Sequence, residues 1–264
     1  MFWSISAFTY YQIRCFMRLT SRLFHSFAAC LIALTGIAAA PNVEPDKDEN
    51  IAQLLQEART LMTEHKSTEA LEKCDAVIKK FVDYYLTPGA QRVYCARSQP
   101  EVLFYLLKNS ADADRGTATA ADAKGAKVLS STWSDAYFMK AYALIELRRV
   151  DDAKTAIGKA LELSPVNARY LCELGMVHQL EKNWKESSKQ YTAALKNVEF
   201  SPEVSKAIDL GRARRGLAYN HIELGNLDEA EKLYLQCLES DPKDARAQTE
   251  LEYVRTLKAN KANK

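Results

Sequence analysis

The side chains that most often do chemistry in enzymes are few and scattered in this chain. Beyond residue 40 the histidines are His65, His178 and His221, and none belongs to a His-Glu-x-x-His zinc helix. A zinc site needs three or four converging ligands, so we interpret His178 and His221 as packing residues. The sequence also lacks a glycine-rich phosphate loop and a serine nucleophile elbow. It therefore predicts a protein that is not an enzyme, with no metal and no cofactor.

Four cysteines follow residue 40, and they allow two interpretations. Cys74 and Cys95 lie on either side of an irregular segment, so they could form a disulfide in an oxidising compartment. The alternative for Cys74 is a place in the helix core, and we interpret Cys172 and Cys237 as small packing residues, as free cysteines commonly are. The spacing of Cys172 and Cys237 matches no zinc motif.

The first 40 residues have the order of a secretory signal. Arg18 and Arg22 provide a basic start, Leu23 to Ala40 is mostly apolar, and Gly36 to Ala40 supplies small residues for cleavage. Met17 would begin a signal of ordinary length, which makes it an alternative start. We expect a periplasmic or secreted protein. The alternative is a membrane anchor formed by uncleaved residues 23–40, which would be the only membrane contact.

The balance of charge argues against one class of partner. The chain has 36 basic and 34 acidic residues. Without Arg14, Arg18 and Arg22 of the leader, 33 bases remain (36 − 3) against 34 acids. A domain so close to neutral is a poor general binder of nucleic acid, so we expect no nucleic-acid partner.

Small residues recur at a fixed interval along the chain. Ala126, Ala160 and Ala194 lie 34 residues apart, and so do Ala153 and Ser187. A period in the mid-thirties is typical of stacked helix-turn-helix units. Within each unit, intervals of three and four residues place the apolar side chains on one helix face. The period therefore predicts an all-α solenoid.

The same period divides the chain into units. Pro41 to Asn50 is charged and contains two prolines, so we expect a solvated linker at 41–50. A solenoid at 51–259 follows, with helix pairs at about 51–84, 100–133, 134–167, 168–201 and 211–244, a capping helix at 245–259 and a basic tail at 260–264.

Two insertions interrupt this register. The first, near 85–99, contains the turn signal Thr87-Pro88-Gly89 and a short apolar run that is either extended or helical. The second, near 202–210, should lengthen the first helix of the fifth pair by about two turns. In the second pair, Gly116 to Ser130 would form a helix with little bulk, or 110–120 would be partly disordered.

Three units carry the same order of small, aromatic and helix-ending residues. The fourth unit has Leu171, Leu174-Gly175, Trp184, Tyr191 and Ala194-Leu195. The third has Tyr137, Ala141, Leu144, Ala153, Ile157, Ala160-Leu161 and Pro165, and the fifth has Leu217-Ala218, Gly225, Leu227, Ala230, Tyr234 and Asp241-Pro242. This order resembles the tetratricopeptide repeat family, of the exported bacterial type. The resemblance implies a right-handed superhelical solenoid of about five repeats with a C-terminal capping helix.

In that family the first helices of successive repeats line a concave groove, which is the usual binding surface. Four positions of each repeat should face it, because their 3,4,3 spacing shares one helix face. These positions hold Asp135, Phe138, Tyr142, Ile145, Arg169, Cys172, Met176, Gln179, Arg212, Arg215, Tyr219 and Ile222. The carboxylate clamp of chaperone-binding members is not reproduced, because Phe138, Cys172 and Met176 occupy its lysine and asparagine places.

The groove residues predict the chemistry of a partner. Apolar contact would come from Phe138, Tyr142, Met176 and Tyr219, and carboxylate recognition from Arg169, Arg212 and Arg215. We therefore expect a protein or peptide partner with apolar anchors and acidic flanks or a free C-terminus. The alternative is that Arg212 and Arg215 pair with neighbouring acids such as Asp209.

Two functions agree with these features. The first is a non-catalytic scaffold for protein–protein interaction, exported to the cell envelope, which binds a peptide or protein segment in its concave groove. The alternative is a periplasmic chaperone, or an accessory subunit of an envelope enzyme complex. A scaffold would capture a few defined partners, whereas a chaperone would capture many clients weakly.

Overall fold

A computed structural model describes residues 43–117 and 119–262. The expected leader and the last two residues of the basic tail lie outside these ranges. The described helices are α1 (Glu49–Thr63), α2 (Ser67–Tyr85), α3 (Gln99–Asp114), α4 (Thr132–Glu146), α5 (Val150–Leu163), α6 (Ala168–Leu180), α7 (Trp184–Asn197), α8 (Glu203–Glu223), α9 (Leu227–Ser240) and α10 (Ala245–Ala262). Two strands, β1 (Arg92–Ala96) and β2 (Ala126–Ser130), flank α3.

Most of these helices form the solenoid that the sequence predicts. The helices α1–α2, α4–α5, α6–α7 and α8–α9 pack as pairs, each pair packs on the next, and α10 covers the last one. The fold is therefore an all-α repeat solenoid with a capping helix, as expected. None of the described helices is both long enough and apolar enough to cross a membrane.

The same turn joins the two helices of each pair. At this turn His65, Arg148, Lys182 and Gly225 have positive φ angles of 56°, 61°, 55° and 76°. The next backbone N–H then donates to the carbonyl five residues earlier, at 2.8–2.9 Å, in each of the four turns. This left-handed helix ending favours glycine. The first repeat adopts it with a histidine, so its lack of a glycine does not change the turn.

Close packing in the middle of the solenoid depends on two glycines beside one tyrosine. A Cβ atom on Gly175 would lie 2.9 Å from the ring of Tyr191, and one on Gly216 would lie 2.2 Å from it. Because neither glycine has a side chain, α6 and α8 can both approach α7 at this level. The Tyr191 ring thus fills the space where three helices meet.

The second predicted helix pair, at 100–133, is wrong. Its first helix is present as α3, but among the described residues Gly116 to Ser130 contains no α-helix; it forms turns, a short 3₁₀ helix at Asp122–Lys124 and then β2. Gly116 and Gly125 have φ angles of 67° and 82°, which interrupt a helix. Ala126 therefore lies in a strand, so its 34-residue spacing from Ala160 does not reflect a repeat.

The segment between the first pair and α4 is a β-α-β insertion. Strands β1 and β2 pair in parallel from Arg92 opposite Ala126 to Ala96 opposite Ser130. Helix α2 packs directly against α4, so the insertion does not interrupt the stack of helix pairs. The apolar run that the sequence left open is thus extended.

The small sheet is apolar on both faces. Val93, Cys95 and Leu129 belong to the core of the first two helix pairs. On the other face, Tyr94 stacks on Tyr105 of α3 with ring centroids 4.9 Å apart. Because successive side chains of a strand point to opposite faces, the sheet packs on the solenoid with one face and on α3 with the other.

The predicted solvated linker is wrong from Glu44 onward. Pro45 is buried in a short 3₁₀ turn, and the Glu44 carboxylate accepts a hydrogen bond from the Tyr85 hydroxyl at 2.7 Å. Glu44 also pairs with Lys127 of β2. These contacts, Lys127 first, lower the pKa of Glu44 to about 2. The segment is therefore docked on the solenoid and the sheet.

The predicted Cys74–Cys95 disulfide is absent from the structure. Both thiols are free and buried, as are those of Cys172 and Cys237. Cys74 and Cys95 fill the core beside Val77 and Val93 as small apolar groups. Burial raises the pKa of both thiols to about 12, which disfavours the thiolate that disulfide exchange requires.

The two insertions contact each other. The second one lengthens α8 to 21 residues, as the sequence predicts. In front of α8, Phe200 packs on Phe104 of α3 with ring centroids 4.8 Å apart, and its carbonyl accepts a hydrogen bond from the Ser98 hydroxyl at 2.6 Å. The β-α-β insertion thus reaches from the first helix pairs to the start of α8.

Candidate peptide-binding groove

A concave cavity of about 490 Å³ lies along the first helices of the repeats. It is lined mainly by α1, α4 and α6, with single residues from α7, α8 and α10. We call this cavity the groove; its lining consists of Arg59, Met62, Thr63, Phe138, Met139, Tyr142, Arg169, Cys172, Glu173, Met176, Tyr191, Arg212 and Arg246.

Five of the seven residues that the sequence assigned to partner binding meet in the groove. They are Phe138, Tyr142, Arg169, Met176 and Arg212. The helical spacing succeeded here because α4, α6 and α8 present corresponding faces to the same cavity.

Arg215 and Tyr219 are not part of the groove lining. Arg215 pairs with Asp244, at the start of the capping helix. Tyr219 packs edge-on against Trp184, with ring centroids 6.1 Å apart. The charge of Arg215 is thus matched within the chain; its recognition of a partner stays a prediction.

Several of the other predicted groove positions also make internal contacts. The Gln179 amide donates to the carbonyl of Gly216 at 3.0 Å and to the Asn220 side chain at 2.8 Å. The Asp135 carboxylate accepts from the Tyr170 hydroxyl at 2.8 Å. These polar groups hold neighbouring first helices together and therefore have less capacity to bind a partner.

Aromatic rings form the apolar part of the groove. Phe138 is buried and stacks on Tyr170, with ring centroids 5.2 Å apart. The Arg169 guanidinium lies over the Phe138 ring, with its Cζ atom 4.3 Å from the ring centroid. This cation–π contact holds the arginine head at the apolar floor. Tyr142, by contrast, is 45% exposed and accessible to a partner.

The groove is strongly cationic. Four arginines line it, against the single carboxylate of Glu173. Arg59 lies 3.9 Å from Asp135, whereas Arg169, Arg212 and Arg246 have no carboxylate partner within the described ranges. The proposed pairing of Arg212 with Asp209 does not form, because the Asp209 carboxylate contacts Arg97 at 3.4 Å. Unpaired guanidinium groups on an apolar floor suit carboxylates of an incoming chain.

Sequence reasoning missed several groove residues, and Glu173 is the buried acidic one among them. It is only 4% exposed, and its Oε1 atom has no hydrogen-bond partner among the described residues. Burial raises the pKa of this carboxyl, although Arg212 and Arg169 oppose the shift. The available signal was an acidic residue within the apolar run Leu171-Cys172-Glu173-Leu174.

The histidines do not assemble a site in the described ranges. The His178 Nδ1 atom lies 3.0 Å from a Glu181 carboxylate oxygen. No group of three or more histidine, cysteine, aspartate or glutamate side chains there could hold a metal ion.

Comparison with protein families agrees with the repeat geometry. One tetratricopeptide repeat profile matches residues 166–243, and a second matches 134–167. Together these segments contain the three helix pairs whose first helices line the groove. This part of the chain therefore matches tetratricopeptide repeats in sequence as well as in structure. No curated protein matches the sequence.

Three solved structures align with this chain. One, from a characterisation of Pseudomonas aeruginosa pilF, is 12% identical with a TM-score of 0.53, over 81% of this chain and 71% of its own. MamA is 19% identical with a TM-score of 0.45, over 80% and 85%. The first repeat domain of Spaghetti (RPAP3), solved with the HSP90 peptide SRMEEVD, is 19% identical with a TM-score of 0.43, over 49% and 98%. The 12% identity of the first, whose TM-score exceeds 0.5, shows similarity of fold alone.

Proposed function

We propose that the protein is a non-catalytic interaction scaffold whose groove binds an acidic segment of a partner protein. Tetratricopeptide repeats mediate protein–protein interactions. The observation that carries the proposal is the set of unpaired arginines above an apolar floor. A segment with carboxylates and apolar side chains would complement both features.

We also propose that this scaffold acts outside the cytoplasm. The support is the order of residues at the N-terminus, where basic, apolar and small residues follow one another up to Ala40. A partner in the cell envelope or the secretory route would then be the one that meets the groove.

The arginines of the groove provide the test. We expect Arg169→Gln together with Arg212→Gln to weaken binding of a short, end-blocked peptide of alternating leucine and glutamate by roughly a hundredfold or more. The physical reason is that each lost charge-assisted hydrogen bond contributes about 1.5–3 kcal/mol. Fluorescence anisotropy at low and high salt measures the change, and the salt dependence should decrease as well.

A matched control removes the same charge from the outer surface. Lys189 and Lys232 have side chains that are 72% and 64% exposed, each beside one glutamate. Lys189→Gln with Lys232→Gln should leave peptide affinity nearly unchanged. If the outer variant loses affinity and the groove variant keeps it, the assignment of the groove is wrong.

A further inference from the structure

Glu173 is a buried carboxyl whose Oε1 atom receives no hydrogen bond from the described residues. Its side chain lines the groove together with Arg169 and Arg212, yet neither arginine is within ion-pairing distance of it in the described structure. The Oε1 atom is fully shielded from solvent and lacks a hydrogen bond. A buried polar group in this condition costs free energy unless a partner satisfies it.

Most buried polar atoms in folded proteins have a hydrogen-bond partner, so an unpartnered one requires an explanation. The neighbouring side chains on the floor, Cys172 and Met176, offer no strong donor. An occupant of the groove that carries N–H groups would supply such a donor. A polypeptide supplies one at nearly every residue, because each backbone amide other than that of proline carries an N–H.

We infer that Glu173 accepts a backbone N–H from the bound acidic segment and so fixes the position of that segment along the groove. This inference rests on the proposed function. Arg169 and Arg212 would bind side-chain carboxylates, and Glu173 would bind the main chain between them. Glu173 is thus a specificity-determining residue for an extended polypeptide, as opposed to an anion without N–H groups.

Electrostatics alone would predict the opposite effect of removing this carboxylate. Glu173→Met makes the groove more cationic, so simple attraction should bind an acidic peptide more tightly. Our inference predicts weaker binding, by roughly tenfold, because the hydrogen bond to the charged acceptor is lost. The two effects have opposite signs and are therefore separable.

The experiment uses the leucine–glutamate peptide and a set of analogues, each methylated at one backbone nitrogen. In the natural protein, methylation at one amide should weaken binding by roughly tenfold. In Glu173→Met the same methylation should have no effect, which is the coupling that a double-mutant cycle detects. Glu173→Gln, which retains a carbonyl acceptor, should bind with intermediate affinity.

Stability is measured on the same proteins and separates recognition from a structural role. Glu173→Met should unfold at a higher denaturant concentration than the natural protein, because an unpaired buried carboxylate is removed. A residue needed only for folding would show a lower midpoint. The inference is overturned if Glu173→Met binds the peptide as tightly as the natural protein, or if every methylated analogue binds equally well. If the unmodified peptide does not bind the natural protein, the proposed function fails and this inference fails with it.

Discussion

Truncation after Asp244, which removes α10, should lower the free energy of unfolding by about 3–6 kcal/mol. Leu251 and Val254 of α10 are buried against Ala230, Tyr234 and Cys237 of α9. Each large apolar side chain taken out of water contributes about 1.5–3 kcal/mol. A terminal repeat whose apolar face is uncovered also promotes association between molecules. Denaturant unfolding and size-exclusion chromatography measure the two effects.

A shorter truncation is the matched control. Ending the chain after Ala259 keeps Leu251 and Val254 and also Lys258, which pairs with Asp228 and Glu231. We expect this protein to remain monomeric and to unfold close to the natural midpoint. The role of α10 as a cap is contradicted if truncation after Asp244 leaves both the oligomeric state and the midpoint unchanged.

Arg97→Met should lower the free energy of unfolding by about 3–5 kcal/mol, the usual effect of removing one partner from a buried ion pair. Arg97 contacts Glu101 at 3.3 Å and Asp209 at 3.4 Å; both carboxylates are buried, and the Arg97 side chain is only 10% exposed. Burial raises the pKa of the Glu101 carboxyl, and Arg97 counteracts this rise. Without the guanidinium, two carboxylates would share one apolar junction.

Arg149→Met tests whether burial is the cause. Arg149 pairs with Asp152 at 2.7 Å, but both side chains are more than half exposed. Exposed pairs contribute about 0–1 kcal/mol, so this variant should unfold nearly like the natural protein. If urea denaturation gives the same loss in free energy of unfolding for both substitutions, the buried ion pairs of Arg97 contribute no more to stability than an exposed pair.

The repeats could be predicted because their signal is periodic and local. Spacing of three and four residues identified the inner faces of α4, α6 and α8, and small residues such as Gly175 marked close helix contacts. The groove followed from the same spacing, since equivalent positions on successive first helices face one cavity. Phe138 and Arg169 were placed correctly for this reason.

The β-α-β insertion could not be predicted because its pairing is non-local. Strands β1 and β2 are joined in register across α3, and each is too short to distinguish from a helix segment by period alone. Ala126 also lay by coincidence on the 34-residue interval, which favoured a helix. The strand conformation of β2 depends on tertiary packing against the first helix pairs.

Ion pairing between residues distant in sequence was the second feature that could not be predicted. Arg212 and Arg215 occupy adjacent turns of one helix and look equivalent in the sequence. Asp244 neutralises Arg215 from the start of α10, whereas Arg212 stays unpaired beside Glu173. Which arginine is free to bind a partner depends on the path of the chain between repeats, and local spacing carries no information about that path.

Site-specific photo-crosslinking tests the central claim most directly. A benzophenone amino acid replaces Tyr142, which is exposed in the groove, or Leu235 of α9, which is 39% exposed and does not line the groove. Each protein is irradiated with the labelled leucine–glutamate peptide. Our account predicts a crosslink from position 142 that excess unlabelled peptide abolishes, and none from position 235. A competable crosslink from position 235 without one from position 142 would contradict it.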